Sequence, residues 1–309
     1  MTTLFSIIAI ILIALLALTI GAGHYAFSIT PKESALNPSN LELDFEDIYF
    51  QNDNGEVLHA WWLRNLNNPQ ETPSPTLVML HGWNRNCQRM LPYLEHLHQL
   101  PMNILVIEGR GHGENSKNTF ISQVGFGEDI LAALNWLVLQ PEVNVQRIGV
   151  LGHSIGAAAT IYASYKDPRI SAFIADSSYA HPKEIINKFL QHLHIPFFPM
   201  GWLMQQYIQL RLGTTFDKVA PENVITRMNK PGLLIHGDKD QVVPVNDAKR
   251  IQDNAGGNVE SWIAEGYHHS NTTDHQDFPE ILRNFIQRTL LNSSETQFEH
   301  LTHEEVSAR

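Results

Sequence analysis

The chain has 309 residues, of which 43% are hydrophobic and 17% are charged, a composition typical of a folded globular protein. Its formal net charge of -11, without any basic stripe, argues against nucleic-acid binding, which needs clustered Lys and Arg to displace counterions from phosphates. The single cysteine, Cys87, excludes an intramolecular disulfide. A folded enzyme or binding domain is therefore the default expectation.

The first residues differ in character from the rest of the chain. Residues 4–22 (LFSIIAIILIALLALTIGA) carry no charge, and a helix at ~1.5 Å per residue would let them cross a ~30 Å hydrocarbon layer. A cleaved signal peptide and a buried core helix are the alternatives. No Lys or Arg precedes the run, and it exceeds the usual apolar region of ~7–15 residues in a signal peptide. We therefore predict a single-pass membrane anchor at residues 1–23 and a polar linker at residues 24–43.

Residues 44–291 carry the pattern of an α/β domain. Two β-rich runs flank Asn54-Gly55, a dipeptide that suits the positive φ angles of a tight hairpin turn. Helical spacing then alternates with short apolar runs, which are TLVML, NILVIE, RIGVLG, ISAFIA, PGLLIHG and NVESWIA. Strands that are apolar on both faces are typical of a parallel sheet with helices on each side. The sequence therefore predicts a mostly parallel, doubly wound sheet opened by an antiparallel hairpin.

One connection between predicted strands is much longer than the usual ~2–6 residues. Residues 179–225 are predicted to form a helical cap over the domain. Its apolar side chains are candidates for an acyl pocket, for contact with a bilayer, or for simple packing against the core; they are Ile195, Phe197, Phe198, Trp202, Leu203, Met204 and Tyr207. The acidic, polar residues 292–309 are expected to form a disordered tail or a frayed helix.

The strongest chemical signal is Gly152-His153-Ser154-Ile155-Gly156, a G-x-S-x-G pentapeptide between the run RIGVL and a small-residue helix. A serine on a sharp strand-to-helix turn must adopt strained backbone angles, and the flanking glycines let neighbouring backbone approach closely. The pentapeptide alone is also compatible with an ordinary turn and a serine N-cap. A nucleophilic serine needs a base and a carboxylate that orients the base.

Both partners follow Ser154 in the chain. Asp238 and Asp240 come after the run GLLIHG, at the carboxyl edge of the sheet, where open α/β proteins build their sites. His268 and His269 come after the next strand. Spacing alone does not choose within either pair, but the order Ser, Asp, His is that of the α/β hydrolases.

These residues resemble the α/β-hydrolase superfamily, specifically its esterase, lipase and serine-aminopeptidase-like branches, over roughly Phe45 to Leu290. The family pattern G-D-x-D-x-x-V-P implies that Asp240 is the acid, and G-x-x-H implies that His269 is the base, with Asp238 and His268 as alternates. Asp176, after ISAFIAD, is a further alternate for the acid, because some relatives place the carboxylate there.

The same resemblance implies an oxyanion hole made of two backbone amides. They belong to Ile155, directly after the nucleophile, and to Trp83, directly after the His81-Gly82 pair. The resemblance gives His81 a structural role in ordering this loop. The segment VIEGRGHGEN departs from the family pattern because Glu108 replaces Asp and Asn115 replaces Ser.

The sequence predicts no metal and no cofactor, since it contains no H-E-x-x-H, C-x-x-C, G-x-G-x-x-G or Walker motif. The expected function is hydrolysis of a small-molecule ester through an acyl-enzyme intermediate, and lipid-like esters are among the candidate substrates. A peptidase or acyltransferase with the same triad is the first alternative, and a catalytically silent, membrane-tethered binding protein is the second.

Overall fold

The computed structural model describes residues 32–65, 73–115 and 120–292, together with isolated positions before residue 32. Its centre is a sheet of eight strands. The strands are β1 (Glu46–Gln51), β2 (Val57–Leu63), β3 (Ser74–Leu80), β4 (Asn103–Ile107), β5 (Val143–His153), β6 (Ile170–Asp176), β7 (Gly232–Gly237) and β8 (Val259–Ala264). The six apolar runs of the sequence thus form β3 to β8, which confirms the predicted strands.

The strand order is β1-β2-β4-β3-β5-β6-β7-β8. β1 and β2 form an antiparallel hairpin, and β2 also pairs antiparallel with β4, whereas β3 to β8 are mutually parallel. Gly55 has a φ angle of 77° in the hairpin turn, a conformation that glycine adopts without strain. The predicted, mostly parallel sheet with an antiparallel opening is therefore confirmed.

Helices cover both faces of the sheet. The nine α-helices of the described residues are α1 (Leu91–Leu97), α2 (Gln123–Leu137), α3 (Ile155–Lys166), α4 (Pro182–His192), α5 (Trp202–Leu212), α6 (Phe216–Val219), α7 (Pro221–Val224), α8 (Val245–Asn254) and α9 (Phe278–Ile286). Helices α2, α3 and α8 pack on one face with Val78 and Leu80. Helices α1 and α9 pack on the other with Leu77 and Met79. Alternate residues of β3 therefore enter separate cores, which is why residues 77–80 of the strand are all apolar.

The residues predicted as a cap lie between β6 and β7 and contain α4 to α7. Side chains from α4, α5 and α6 form a small core of their own around Ile186, Leu190, Met204, Ile208 and Phe216. The cap region is thus held together by its own apolar packing beside the carboxyl edge of the sheet.

Most of the predicted anchor at residues 1–23 lies outside the described residues, and so does the predicted tail at residues 292–309 apart from Asn292. Among the helices that the structure describes, none combines the length and apolar character needed to span a bilayer. The described part of the predicted linker lies against the domain, where the amides of Ala35 and Leu36 donate hydrogen bonds to Gln88 Oε1 at 3.0 and 3.2 Å.

Candidate active site

Ser154 occupies the turn between β5 and α3, with φ 59° and ψ -121°. A non-glycine residue at positive φ is strained, and here the amide of Ser154 is held by a 2.8 Å hydrogen bond to the carbonyl of Asp176 at the end of β6. A Cβ atom at Gly152 would lie 2.2 Å from the Gly156 carbonyl oxygen, and one at Gly156 would lie 2.4 Å from that of His81. Both glycines are therefore required by the close approach of backbone at the turn.

Three loops bring Ser154, His269 and Asp240 together at the carboxyl edge of the sheet. The Ser154 Oγ atom lies 3.0 Å from His269 Nε2, and His269 Nδ1 lies 2.6 Å from Asp240 Oδ2. Because a carboxylate only accepts hydrogen bonds, the ring proton belongs on Nδ1. The lone pair of Nε2 then faces the serine hydroxyl, as a general base requires.

Asp240 is buried, and both of its carboxylate oxygens accept hydrogen bonds. Its Oδ1 atom accepts hydrogen bonds from the amides of Val242 and Val243, both at 2.8 Å. Burial acts to raise the pKa of this carboxyl, but the hydrogen bonds from His236 and His269 outweigh burial and hold the pKa well below its usual range. Asp240 therefore stays ionised and keeps its acceptor oxygen directed at His269.

His236, the penultimate residue of β7, was not among the site residues predicted from the sequence. Its Nε2 atom lies 2.9 Å from the Val243 carbonyl and 3.3 Å from Asp240 Oδ2. Burial acts to lower the pKa of His236, and the hydrogen bond to Asp240 reverses this and raises it. Asp240 thus has an imidazole on each side. Its position in the sequence could have indicated this, because a polar residue at the end of an otherwise apolar strand lies at the edge of the sheet that carries the site.

A second unanticipated contact comes from His153, the residue before the nucleophile. Its Nε2 atom donates a hydrogen bond of 2.7 Å to the backbone carbonyl of His269. Burial lowers the pKa of His153 well below its usual value, so the ring is neutral. The pentapeptide therefore places Ser154 at the turn and also holds the loop that carries His269.

The structure separates the three alternates from Ser154 and His269. His268 is exposed, with its Nδ1 atom 2.8 Å from the Lys239 carbonyl, and Asp238 accepts a hydrogen bond from the Gly266 amide at 2.6 Å. The buried carboxylate of Asp176 instead accepts hydrogen bonds from hydroxyl groups of neighbouring side chains; these donors are Tyr93 and Thr272, both at 2.6 Å, and Ser177 at 3.0 Å. Asp176 links structural elements beneath the site and does not contact the His269 ring.

The two residues expected to form the oxyanion hole lie beside the nucleophile, since Trp83 and Ile155 line the same cavity as Ser154. Gly82, before Trp83, is so close that a Cβ atom there would lie 3.1 Å from the Ser154 Cβ. The His81 ring is fully buried and holds this loop, with Nδ1 2.8 Å from the Gly82 carbonyl and Nε2 3.0 Å from the Gly109 amide.

The cavity over Ser154 has a volume of about 550 Å³. Its walls come from the cap region, α2 and the loop after Asp240; the apolar side chains are Phe120, Ile121, Ile185, Ile186, Phe189, Ile208, Leu212, Phe216, Val219, Val242 and Val243. None of the seven cap side chains named from the sequence lines it. Phe197, Phe198 and Trp202 are exposed, while Met204 is buried in the core of the cap. The seven side chains therefore do not line this cavity, and other faces of α4, α5 and α6 do.

One group of side chains in the described part of the chain has the composition of a metal site. His59, Cys87 and Glu108 are buried, and their potential ligand atoms all lie within 4.8 Å of one another. These groups have other partners: His59 Nε2 lies 2.7 Å from Asp47, and Glu108 Oε1 lies 2.8 Å from His81 Nε2. Burial raises the pKa of the Cys87 thiol well above its usual value, which disfavours a thiolate ligand.

Fold and site together define the class of the molecule. A strained serine lies on a strand-to-helix turn, and the loops after β7 and β8 supply a carboxylate and an imidazole, an arrangement typical of the hydrolases built on a parallel α/β sheet. A sequence profile of the serine aminopeptidase (S33) family matches residues 71–222, which include the nucleophile turn but end before Asp240 and His269. The chain belongs to the α/β-hydrolase superfamily.

Similar proteins agree with this assignment. The chain is 27% identical over 224 residues to the uncharacterized protein YqkD of Bacillus subtilis, covering 71% of this chain and 72% of YqkD. It is 25% identical over 215 residues to the α/β-hydrolase domain-containing protein WAV2 of Arabidopsis thaliana, covering 69% and 67% of the two chains.

Solved structures show the same fold. The Pyrococcus furiosus esterase Pf2001 superposes with a TM-score of 0.67 at 23% identity, covering 84% of this chain and 99% of the esterase. The structure of Est1E from Butyrivibrio proteoclasticus with ferulic acid bound gives a TM-score of 0.63 at 19% identity, covering 79% and 100%. Together these likenesses support a hydrolase.

Proposed function

We propose that the protein is a serine hydrolase that cleaves carboxylic esters with an apolar acyl group. In this proposal Ser154 is the nucleophile, His269 the general base and Asp240 the acid that orients the base. The observation that carries it is the continuous series of contacts from Ser154 Oγ to His269 Nε2, at 3.0 Å, and from His269 Nδ1 to Asp240 Oδ2, at 2.6 Å, at the wall of an apolar cavity.

The first half of the reaction transfers the acyl group to the enzyme. Ser154 Oγ attacks the ester carbonyl while His269 Nε2 takes the hydroxyl proton, and the backbone amides of Ile155 and Trp83 donate to the oxyanion. Collapse of the tetrahedral intermediate breaks the bond to the alcohol oxygen, which leaves with the proton from His269. Asp240 stabilises the imidazolium formed in between.

The second half hydrolyses the acyl-enzyme. Water attacks the acyl carbonyl as His269 takes one of its protons, and the serine oxygen leaves with that proton. The carboxylic acid is released and Ser154 is regenerated. The donors that face the oxyanion serve both halves, and losing one such donor typically costs about 3 kcal/mol of barrier.

The cavity favours an acyl chain over a peptide with a free amino terminus. Its described walls are mostly aliphatic and aromatic, the polar side chains besides Ser154 and the Tyr179 hydroxyl being those of Ser122, Gln123, Lys188 and His192, and they include no Asp or Glu side chain. A free ammonium group would therefore find no carboxylate there, whereas burying a hydrocarbon chain gains about 0.8 kcal/mol per CH₂. The cavity lining thus supports an ester substrate, although the matching family profile is described as that of a serine aminopeptidase.

The test is turnover of p-nitrophenyl esters of increasing acyl length. We expect kcat/KM to rise with chain length up to the limit set by the cavity, and Ser154→Ala to lower turnover to background. Ser171→Ala is the matched control, because the Ser171 hydroxyl bonds the Ile148 carbonyl at 2.9 Å and does not line the cavity. Folded wild-type protein that hydrolyses none of these esters, or Ser154→Ala protein that still does, would contradict the proposal.

We further propose that residues 1–23 anchor the enzyme in a membrane. Support comes from the uncharged segment 4–22 and from the exposed apolar side chains of Phe197, Phe198 and Trp202 on the cap. Carbonate extraction of membranes tests this: the full chain should stay in the pellet, and a variant lacking residues 1–23 should be released. A full chain found in the supernatant contradicts the anchor.

A further inference from the structure

A second cavity of about 490 Å³ lies on the other side of the loop that follows β3. Trp83 lines the apolar cavity with Ser154, and the next residue, Asn84, lines this second one. The two cavities therefore meet at the loop expected to donate to the oxyanion. An ester whose acyl chain fills the apolar cavity leaves the second cavity for its alcohol part.

The second cavity is basic. Among the described residues that line it, Lys32, Arg85 and Arg89 are cationic and Glu33 supplies the one carboxylate. His112, also in the wall, is neutral because burial lowers its pKa to about 3. Since the whole chain has a net charge of -11, this excess of cations is local and opposite in sign to the protein as a whole.

Arg89 joins this cavity to the catalytic loop. Its Nη2 atom donates a 2.9 Å hydrogen bond to the carbonyl of Ser270, the residue after His269, and its guanidinium lies 5.6 Å from the centre of the Tyr93 ring. These two contacts orient the guanidinium.

Arg85 and Lys32 carry the remaining positive charge. In the described part of the chain neither side chain forms an ion pair. Backbone contacts hold the wall in place: Asn86 Nδ2 donates to the Lys32 carbonyl at 3.1 Å, and the Asn84 amide donates to His112 Nε2 at 3.0 Å. A guanidinium group suits a carboxylate or a phosphate, which accept paired hydrogen bonds.

We propose that the basic cavity is a leaving-group subsite that binds an anionic group on the alcohol part of the ester. This rests on the proposed function, and it specifies the substrate class as an ester with an apolar acyl chain and an acidic alcohol. In the acylation step the bond between the acyl carbon and the alcohol oxygen breaks. The alcohol leaves with the proton from His269 and with its anionic group in contact with Arg85 and Arg89.

A matched pair of esters isolates the anion. 4-Nitro-3-(octanoyloxy)benzoate and 2-nitrophenyl octanoate share the acyl chain and the nitrophenolate leaving group and differ only in one carboxylate. In the full chain we compare kcat/KM for the anionic ester with kcat/KM for the neutral one. The ratio of the two should fall at least fivefold in Arg85→Gln, mainly because KM for the anionic ester rises. High salt should also lower this ratio in the wild type, because it screens the attraction between the carboxylate of the ester and the cationic side chains. Lys249→Gln is the control, because Lys249 is exposed, lines neither cavity and changes the net charge equally.

Binding to the Ser154→Ala variant separates this inference from the proposed function, since it requires no turnover. Calorimetry should show tighter binding of the anionic ester than of the neutral one, and Arg85→Gln in the same background should remove the difference. Equal binding of the two esters, or an equal loss in Lys249→Gln, overturns the subsite. Tight, Arg85-dependent binding without turnover of either ester in the wild type would instead reject the hydrolase while keeping the anion site.

Discussion

Replacing Asp240 by asparagine tests the proposed triad at its least exposed member. The amides of Val242 and Val243 both donate to Oδ1, so the oxygen of the new amide must occupy that position. Its NH₂ group then faces His269 Nδ1, which was 2.6 Å from the carboxylate. The imidazole must accept this hydrogen bond at Nδ1, and its proton moves to Nε2. A ring protonated at Nε2 is unable to take the proton of Ser154.

The expected loss is large because the effect is on the tautomer of the base. The same type of substitution in a Ser-His-Asp triad lowers kcat by about 10⁴, equivalent to about 5.4 kcal/mol of transition-state stabilisation at 1.36 kcal/mol per factor of ten. The assay is steady-state hydrolysis of p-nitrophenyl octanoate, with circular dichroism to confirm that the variant is folded. The reduction should appear in kcat, with KM changed little.

Asp176→Asn is the matched control, since Asp176 is also a buried carboxylate at the edge of the sheet. It accepts hydrogen bonds from Tyr93 and Thr272 on one oxygen, so the substitution should lower the free energy of unfolding by about 1–3 kcal/mol and leave kcat within about tenfold. If folded Asp240→Asn protein kept most of its turnover while Asp176→Asn lost it, the assignment of the acid would be refuted.

Three further predictions concern stability and the shape of the site. Burial lowers the pKa of His112 to about 3, so between about pH 6.5 and 3 the unfolded chain binds a proton that the folded chain does not. As the pH is lowered through this range, the free energy of unfolding should decrease by up to about 1.4 kcal/mol per pH unit. Urea titrations should show a smaller decrease in His112→Gln, and an equal decrease would contradict this. Gly156→Ala places a Cβ 2.4 Å from the His81 carbonyl oxygen and should lower the free energy of unfolding, measured by chemical denaturation, by about 1–3 kcal/mol. Gly256→Ala, where no atom lies within 4 Å of the added Cβ, should lower it by less than about 0.5 kcal/mol, and equal losses would reject the steric argument. Ile185→Trp, at a half-buried cavity wall, should lower kcat/KM for long-chain esters more than for short ones in the p-nitrophenyl series, and a uniform loss would speak against this wall holding the acyl chain.

Much of the fold was predictable because it depends on local pattern. A strand buried on both faces favours an unbroken apolar run, such as residues 77–80 of β3, and a hairpin turn with positive φ favours a residue such as Gly55. The position of Ser154, Asp240 and His269 at the carboxyl edge of the sheet followed from where open α/β proteins build their sites, and the resemblance to the α/β hydrolases gave their order. These features need no knowledge of contacts between distant residues.

The supporting contacts were not predictable, because they join residues distant in the chain. His153 reaches the carbonyl of His269, 116 residues away, and no sequence spacing indicates this. His236 contacts Asp240 only because the loop after β7 turns back on the end of the strand. The residues alone did not distinguish His269 from His268, because the fold sets the directions in which adjacent loop residues point.

The lining of the apolar cavity shows the same limit within the cap. Apolar residues on a cap helix face the cavity, the core of the cap or solvent, and composition does not distinguish these faces. Helix α5 contributes Ile208 and Leu212, four residues apart on one face, while Trp202 on the same helix is exposed. The packing of the cap against the domain decides which apolar residues meet the substrate.

The most direct test of the central claim is covalent labelling of the nucleophile. Wild-type protein, Ser154→Ala and His269→Ala are treated with a fluorophosphonate, and the modified residue is located by peptide mass spectrometry. The account predicts a single adduct on Ser154, absent in Ser154→Ala and strongly slowed in His269→Ala, because the imidazole activates the hydroxyl across 3.0 Å. Folded wild-type protein that takes no label, or that takes it on another residue, would contradict the account.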